Sequence, residues 1–550
     1  MKKAISILIR QFVLLIVLSL CIQSRVIAQV APIDWFTEDF SQTKIFGTGI
    51  DRAYTDLLAG MKSVPVIVAV IDGGVDYQHE DLQSVMWVNP KEIAGNGIDD
   101  DKNGYVDDIH GWNFIGNVSG DTYEVTRTYA ALKGKYEGKS EKDISSKDKK
   151  EYDQFLKAKE KVETSLKFAQ AQLDQLKQTQ QMLEGPLKAV ATKIGDQKLT
   201  PELIDTLDAG DNMDLLMGKM ILQQVLASDD IKVDNMDQLN SLMMEELKGA
   251  IDHYSNEVNY SYNIDFDPRK TIVKDNFEDY NERFYGNNDV KGPDASHGTH
   301  VAGIIGADRT NNLGIKGIAN NVRIMAVRAV PNGDERDKDV ANAIRYAVDN
   351  GAKVINMSFG KGISPGKKYV DEAVKYAADH DVLLVHAAGN NAENNDSIES
   401  FPSATYLTPL NKSKFAPNWI EVGAMDFRGQ PADFSNFGIK NVDIFAPGVD
   451  IYATMPDNKY KNNSGTSMAS PVVAGVAAVI RSYFPNLTAV QVKQVLMASS
   501  SKEENKVANP KTKLMVDFKS LSVSGGYVNA YDAVKEAAKL SKVKLSNTKP

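Results

Sequence analysis

Several stretches of this 550-residue chain carry residues whose types and spacing could do chemistry. The run Asn463-Ser464-Gly465-Thr466-Ser467-Met468-Ala469-Ser470-Pro471 sets a hydroxyl, Ser467, among small residues ahead of the apolar segment Val472 to Ile480. That segment has no polar stripe, so as a helix it is buried on every side. Its N-terminus would aim unpaired N–H groups and a positive dipole end at whatever lies over Ser467. Such a serine is a nucleophile if a base can reach it; otherwise it is part of a Ser/Thr-rich cap on a core helix.

Four other stretches bear on that choice. The β-branched run Val66 to Ile71 reads as a strand buried on both faces, and it ends at Asp72-Gly73-Gly74. A carboxylate at the carboxyl end of such a strand sits where open α/β sheets place their sites, although a turn aspartate reads the same way. Around His297, the segment Gly292 to Gly306 is rich in glycine and small residues, which lets another backbone approach closely. His300 follows three residues later, but no third ligand completes a metal set. Finally, Met357-Ser358-Phe359-Gly360 and Ala387-Ala388-Gly389-Asn390 close two apolar runs with small residues. Edges of that kind can pair with an extended peptide as an added strand.

Between these lies Asn96 to Asp108, in which Asp99, Asp101 and Asn103 precede Gly104. This matches the first half of a calcium loop, where alternate oxygens turn inward and glycine permits the bend. The twelfth position is His110, so Asp107 or Asp108 must close the shell. The candidate ligands are Asp99, Asp101, Asn103, Tyr105, Asp107 and Asp108. A solvated acidic turn is the alternative.

The elements that must position these groups alternate between strand and helix. Strands are expected at Val322 to Val327, Val354 to Met357, Val382 to His386, Ile420 to Val422 and Val442 to Phe445, with helices at Asp337 to Asn350 and Tyr369 to His380. That alternation is the pattern of an α/β parallel sheet with crossover helices. Residues 120–259 differ in character. Phe155, Val162, Ala169, Leu176 and Leu183 recur every seven residues, with Leu166 and Leu173 on the same face. Gly185-Pro186 is expected to interrupt that helix, and two more follow around Leu215 to Leu226 and Met236 to Tyr254. This reads as an inserted helical module. Structural arm, gate, partner-binding surface and self-association all stay open for it.

The net charge of −10 argues against nucleic acid or an anionic membrane as a default partner. Lys2, Lys3 and Arg10 precede the apolar run Phe12 to Leu20, and Val26-Ile27-Ala28 offers a cleavage site, so residues 1–28 read as a signal peptide. No stretch is long enough for a transmembrane helix. The single cysteine, Cys21, lies in that leader; Leu18-Ser19-Leu20-Cys21 resembles a lipoprotein signal, but Leu20 is bulky. Cleavage leaves a mature chain without cysteine, exported to periplasm or medium and owing nothing to disulfides.

Asp72-Gly73-Gly74, His297-Gly298-Thr299-His300, Ala388-Gly389-Asn390 and Gly465-Thr466-Ser467-Met468-Ala469, in that order, resemble the subtilisin-like serine peptidases, the subtilase family. The resemblance covers residues 64–119 and 260–535, leaving 29–63 as an N-terminal segment and 536–550 as a tail. It implies a serine endopeptidase acting on proteins or peptides, with Ser467 as nucleophile, His297 as general base, Asp72 orienting the imidazole and Asn390 as oxyanion donor. It further implies that Ser358, Phe359, Gly360, Ala387, Ala388 and Gly389 wall the primary substrate pocket, with Ser400 to Ser403 near its floor. His297 and Asn390 separate the chain from the acid-active sedolisins. Two departures stand out. Asp72 and His297 are 225 residues apart, and Gln29 to Val64 is short for an inhibitory propeptide. A silent or self-processing protein whose helical module serves binding or assembly is the rival reading.

Overall fold

The computed structural model describes residues 31–227, 233–410 and 413–546, so the expected leader and Cys21 lie outside the described residues. The apolar run becomes the strand Val66–Asp72. It sits within a nine-stranded sheet whose order is Ser501–Lys502, Gly526–Tyr527, Ile444–Pro447, Trp419–Met425, Leu383–Ala387, Val354–Met357, Val66–Asp72, Val322–Arg328 and Gly111–Asn113. Neighbours run parallel except the first pair, which is antiparallel.

The strand Val66–Asp72 shows why the run lacks polar alternation. Val66, Val68 and Val70 enter one core with the helices Ser296–Gly306 and Thr466–Tyr483. Ala69 and Ile71 enter the other, with the helices Asp337–Asp349 and Lys367–Asp379. Successive side chains point to opposite faces, and both faces are covered by helices. Each fully buried valine or isoleucine contributes roughly 1.5–3 kcal/mol. The helix Thr466–Tyr483 is buried from Val472 through Ile480, as its missing polar stripe requires.

The chain divides into two compact units, Ala31–Thr128 with Asp265–Pro550, and Tyr129–Ile264. The spine of the second unit is a 46-residue helix, Lys149–Ile194. Phe155, Val162, Ala169, Leu173 and Leu183 are buried along it, while Leu176 is half-buried. The break expected at Gly185-Pro186 does not occur, because the helix continues through a buried Pro186. An interior proline costs about 3 kcal/mol through its missing N–H and ring clash. Close packing offsets that cost here. Leu183, Leu187 and Val190 share a core with Leu215 and Leu222 of the helix Met213–Leu226, whose Gly218 comes so near that an added Cβ would lie 2.4 Å from the Pro186 carbonyl oxygen.

Leu222 has no exposure. Leu222→Ala is therefore expected to destabilise this unit by about 2–5 kcal/mol, through lost transfer energy plus a cavity. The readout is a lower urea midpoint of the helical circular-dichroism signal; an unchanged midpoint contradicts the packing described.

Candidate active site

The strand Val66–Asp72 delivers the Asp72 carboxylate, 3% exposed, to the carboxyl edge of the sheet. It accepts from the Gly73 N–H at 2.7 Å, and both of its oxygens lie 2.9 Å from His297 Nδ1. A carboxylate only accepts, so Nδ1 carries the proton and Nε2 is left as the free base in the neutral ring. His297 stands in the first turn of Ser296–Gly306, with its side chain 45% exposed. Gly298 makes that reach possible, because a Cβ there would lie 2.2 Å from the Gly74 carbonyl oxygen and 3.0 Å from Asp72 Cβ. Burial pulls the His297 pKa down, but the charge and hydrogen bond of Asp72, with Asp294 beyond, outweigh it and leave the pKa above the ordinary value. His300 instead gives Nε2 to the Lys461 carbonyl oxygen at 3.0 Å, and burial drives its pKa to about 4. It is a neutral packing group.

Ser467 lies in the first turn of Thr466–Tyr483, where Pro471 determines a local detail. Pro471 has no N–H for the carbonyl four residues earlier, which belongs to Ser467. The Ser358 hydroxyl supplies that donor at 3.0 Å. In return Ser467 Oγ donates to the Ser358 carbonyl oxygen at 3.2 Å, not to His297. Rotation about one bond turns Oγ away from that acceptor, and such contacts commonly tighten only once substrate is bound. Ser358 and His297 share the wall of one cleft of about 230 Å³ with Asp72, Asp294, Asn332 and Phe359.

Asn390 is exposed at the end of Leu383–Ala387, and its orientation is determined by its neighbours. The Thr466 backbone N–H, which can only donate, lies 2.8 Å from Asn390 Oδ1, and the Thr466 hydroxyl lies 2.9 Å from the same oxygen. Nδ2 must therefore face away. A Cβ built on Gly465 would lie 3.5 Å from Asn390 Nδ2 and 3.6 Å from Ser467 N, so two N–H donors flank one small space beside the serine. Thr466 is a positioning residue that sequence reasoning passed over; its place just before Ser467 was the available signal.

The expected pocket walls come close to this centre. Gly389 N–H donates to Thr466 Oγ1 at 3.1 Å, while Ala388 N–H pairs with the Val422 carbonyl oxygen. Ala387 is buried at the strand end. A Cβ on Gly360 would lie 3.2 Å from Ser400 Oγ and 3.7 Å from His386 Nε2. Buried His386, unmarked by any sequence pattern, spans the Phe359 carbonyl oxygen and the Glu421 carboxylate at 2.7 and 3.0 Å.

The acidic loop is arranged differently from expectation. Carboxylates of Glu92, Asp99 and Asp101 offer oxygens within 4.8 Å of one another. Asp107 instead accepts the N–H groups of Gly95, Asn96 and Gly97. Asp108 is buried against Asn89, Asn103 and the Tyr346 hydroxyl, and that burial raises its pKa to about 6. Asn103 Oδ1 accepts the Tyr105 N–H, and the Tyr105 hydroxyl reaches the Arg283 carbonyl oxygen. The carboxylate grouped with Asp99 and Asp101 is that of Glu92, seven residues before the motif, which also accepts the N–H groups of Asp100, Asp101 and Asp107. An all-oxygen, carboxylate-rich set fits a hard divalent cation such as calcium.

Removing the charge in Asp72→Asn is expected to lower the His297 pKa below that of the parent, since the desolvation remains and the opposing charge is gone. Ring-proton NMR titration measures it; an unmoved or raised pKa contradicts the described balance.

Comparison with known proteins shows the family. The thermophilic serine proteinase of Bacillus sp. (strain AK1) is 43% identical over 208 residues, covering 38% of this chain and 47% of that protein. Subtilisin DY of Bacillus licheniformis is 38% identical, covering 37% and 70%. Thermitase of Thermoactinomyces vulgaris is 40% identical, covering 34% and 61%. This chain thus spans about half the length of the first of these relatives. The family profile described as "Subtilase family" (Peptidase_S8) matches residues 64–518, a span containing Asp72, His297, Asn390 and Ser467, and the chain belongs to that family.

Proposed function

We propose that the protein is an exported serine endopeptidase that hydrolyses peptide bonds in proteins or peptides through an acyl-enzyme on Ser467. The observation carrying this reading is the bond of Asp72 to His297 Nδ1, which leaves Nε2 free in a cleft that Ser358, the hydrogen-bond partner of Ser467, also lines. Ser467 Oγ attacks the scissile carbonyl carbon as His297 Nε2 takes its proton, and the imidazolium is stabilised by Asp72. The oxygen then bears negative charge next to Asn390 Nδ2 and Ser467 N. As the C–N bond breaks, His297 passes its proton to the leaving amine. Water, deprotonated by the same nitrogen, releases the acid.

A fluorophosphonate probe tests the nucleophile. Labelling of the parent and its absence in Ser467→Ala are expected, whereas equal labelling of both would reject Ser467. Gly465→Ala tests the oxyanion space. The added methyl makes only ordinary contacts, so the fold should persist, yet it occupies the space facing both donors. Loss of one such donor in subtilisin, a relative, lowers the rate by roughly 10²–10³. A comparable fall in kcat is expected; unimpaired kcat contradicts the assignment. The base works only when neutral, so activity should rise with pH through a pKa above the usual histidine value of about 6.5.

The same reading assigns calcium to Glu92, Asp99 and Asp101, where the ion would cross-link the loop 92–108 in a chain expected to lack disulfides. A chelator should lower the melting temperature of the parent but not of Asp99→Asn/Asp101→Asn; equal responses would remove calcium from the account. Residues 120–259 are proposed as a helical insertion in the peptidase domain, supported by the compactness of Tyr129–Ile264.

A further inference from the structure

The parallel ladder between the strands Val354–Met357 and Leu383–Ala387 ends at the pair Met357 and His386. The next two residues, Ser358 and Phe359, leave that ladder and meet the catalytic helix. Ser358 holds Ser467 twice, donating its hydroxyl to the Ser467 carbonyl oxygen at 3.0 Å and accepting from Ser467 Oγ at 3.2 Å. Asn356 Nδ2 donates to the Ser358 hydroxyl at 2.9 Å, while its Oδ1 accepts from Ser470 Oγ at 2.7 Å. A backbone carbonyl past the end of a ladder needs another donor. For Phe359 that donor is a side chain, His386 Nε2, at 2.7 Å. The segment is thus tied to the helix by Asn356 and Ser358, and to the sheet by His386.

The partners of His386 determine where its protons lie. A carbonyl oxygen only accepts, so Nε2 carries a hydrogen. Nδ1 lies 3.0 Å from both oxygens of Glu421, and a bare nitrogen facing a carboxylate is repelled, so a second hydrogen lies between them. Trp419 Nε1 donates to Glu421 Oε2 at 2.8 Å, which favours the ionised carboxylate. The Trp419 ring centre stands 5.1 Å from that of the imidazole, a distance at which an aromatic ring attracts a cation. The nearby Asp443 accepts the Glu421 N–H at 2.9 Å and is paired with Lys493 at 3.0 Å, so Lys493 answers Asp443 and Glu421 answers His386. The His386 side chain has no exposure and that of Glu421 is 10% exposed. A buried cation persists only beside such a partner.

We propose that His386, an imidazolium paired with Glu421, is a positioning residue for the nucleophile: it holds the Phe359 carbonyl, and through the adjoining Ser358 it fixes the backbone of Ser467 in place for attack. This rests on the peptidase reading. The ring bonds to Phe359 and Glu421, so it acts through Ser358 and takes no proton from the reaction.

The test is the rate at which a fluorophosphonate without peptide residues labels Ser467, which reads the nucleophile and not substrate contacts. In Glu421→Gln the amide still accepts from Trp419 and donates to Nδ1, leaving Nε2–H on Phe359, so a rate within about threefold of the parent is expected. His386→Leu with Glu421→Gln leaves no buried charge unpaired but removes the donor, and labelling at least about tenfold slower is expected, since a 1 Å misplacement can cost roughly 10²-fold. His386→Gln with Glu421→Gln returns an amide N–H of similar reach and should recover most of that loss. A leucine variant as fast as the parent, even with a lowered melting temperature, or equal rates in the leucine and glutamine variants, overturns the positioning role. Nitrogen NMR of the parent, which needs no variant to fold, should show both His386 ring nitrogens protonated; one bare nitrogen overturns the imidazolium. A parent that takes no label at all defeats the peptidase reading itself, which separates that failure from this one.

Discussion

A carboxylate with almost no exposure at the end of a strand buried on both faces is the constraint on which the rest of the centre depends. Asp72 cannot be left unpaired there, since an unsatisfied buried charged group costs well over the roughly 1–3 kcal/mol of a neutral one. Gly73 N–H and the His297 ring satisfy it, and the second contact does more than stabilise. It decides which imidazole nitrogen holds the proton and which way the ring faces. The helix Ser296–Gly306 must come close for that bond to form, so glycine stands where Gly298 meets the Gly74 carbonyl. Sheet, glycine and histidine are one arrangement.

The serine side is organised by an interruption. Pro471 deprives the Ser467 carbonyl of its helical donor, and Ser358 repairs the loss from the neighbouring strand end. The repair ties the serine to the edge along which a peptide would lie. Thr466 acts in parallel on Asn390, holding its oxygen with a backbone and a hydroxyl donor so that the amide hydrogens face the serine. Both devices use neutral groups bonded to the nucleophile's own backbone or to the residue just before it, and both rigidify a site that would otherwise lose rotamer freedom on binding.

Much of this was legible in the chain. The unbroken apolar run before Asp72, the featureless helix after Ser467 and the strand-helix alternation each follow from local patterns that burial imposes. What escaped reading depends on partners distant in sequence. Glu92 lies near Asp99 and Asp101 only because the loop folds back, while Asp107 and Asp108, the two candidates by spacing, bond to the backbone of Gly95 to Gly97 and to Asn89, Asn103 and Tyr346. Pro186 reads as a breaker because propensity weighs one residue, whereas the helix runs on through it where Gly218 of another helix packs against its carbonyl. His386 with Glu421, and Lys361 with Glu124, pair residues 35 and 237 apart. No periodicity marks such pairs, since each forms only when the folded chain brings distant segments together.

The central claim is that Ser467 reacts through an imidazole whose basicity is tuned by Asp72. Stopped-flow measurement of acylation across pH, set beside the NMR titration of the His297 ring in the same protein, tests it most directly. The account predicts a single ionisation in the acylation rate that coincides with that of His297, lies above the ordinary histidine value and moves downward with it in Asp72→Asn. An acylation rate that is flat with pH, or that follows an ionisation the His297 ring does not share, would contradict it.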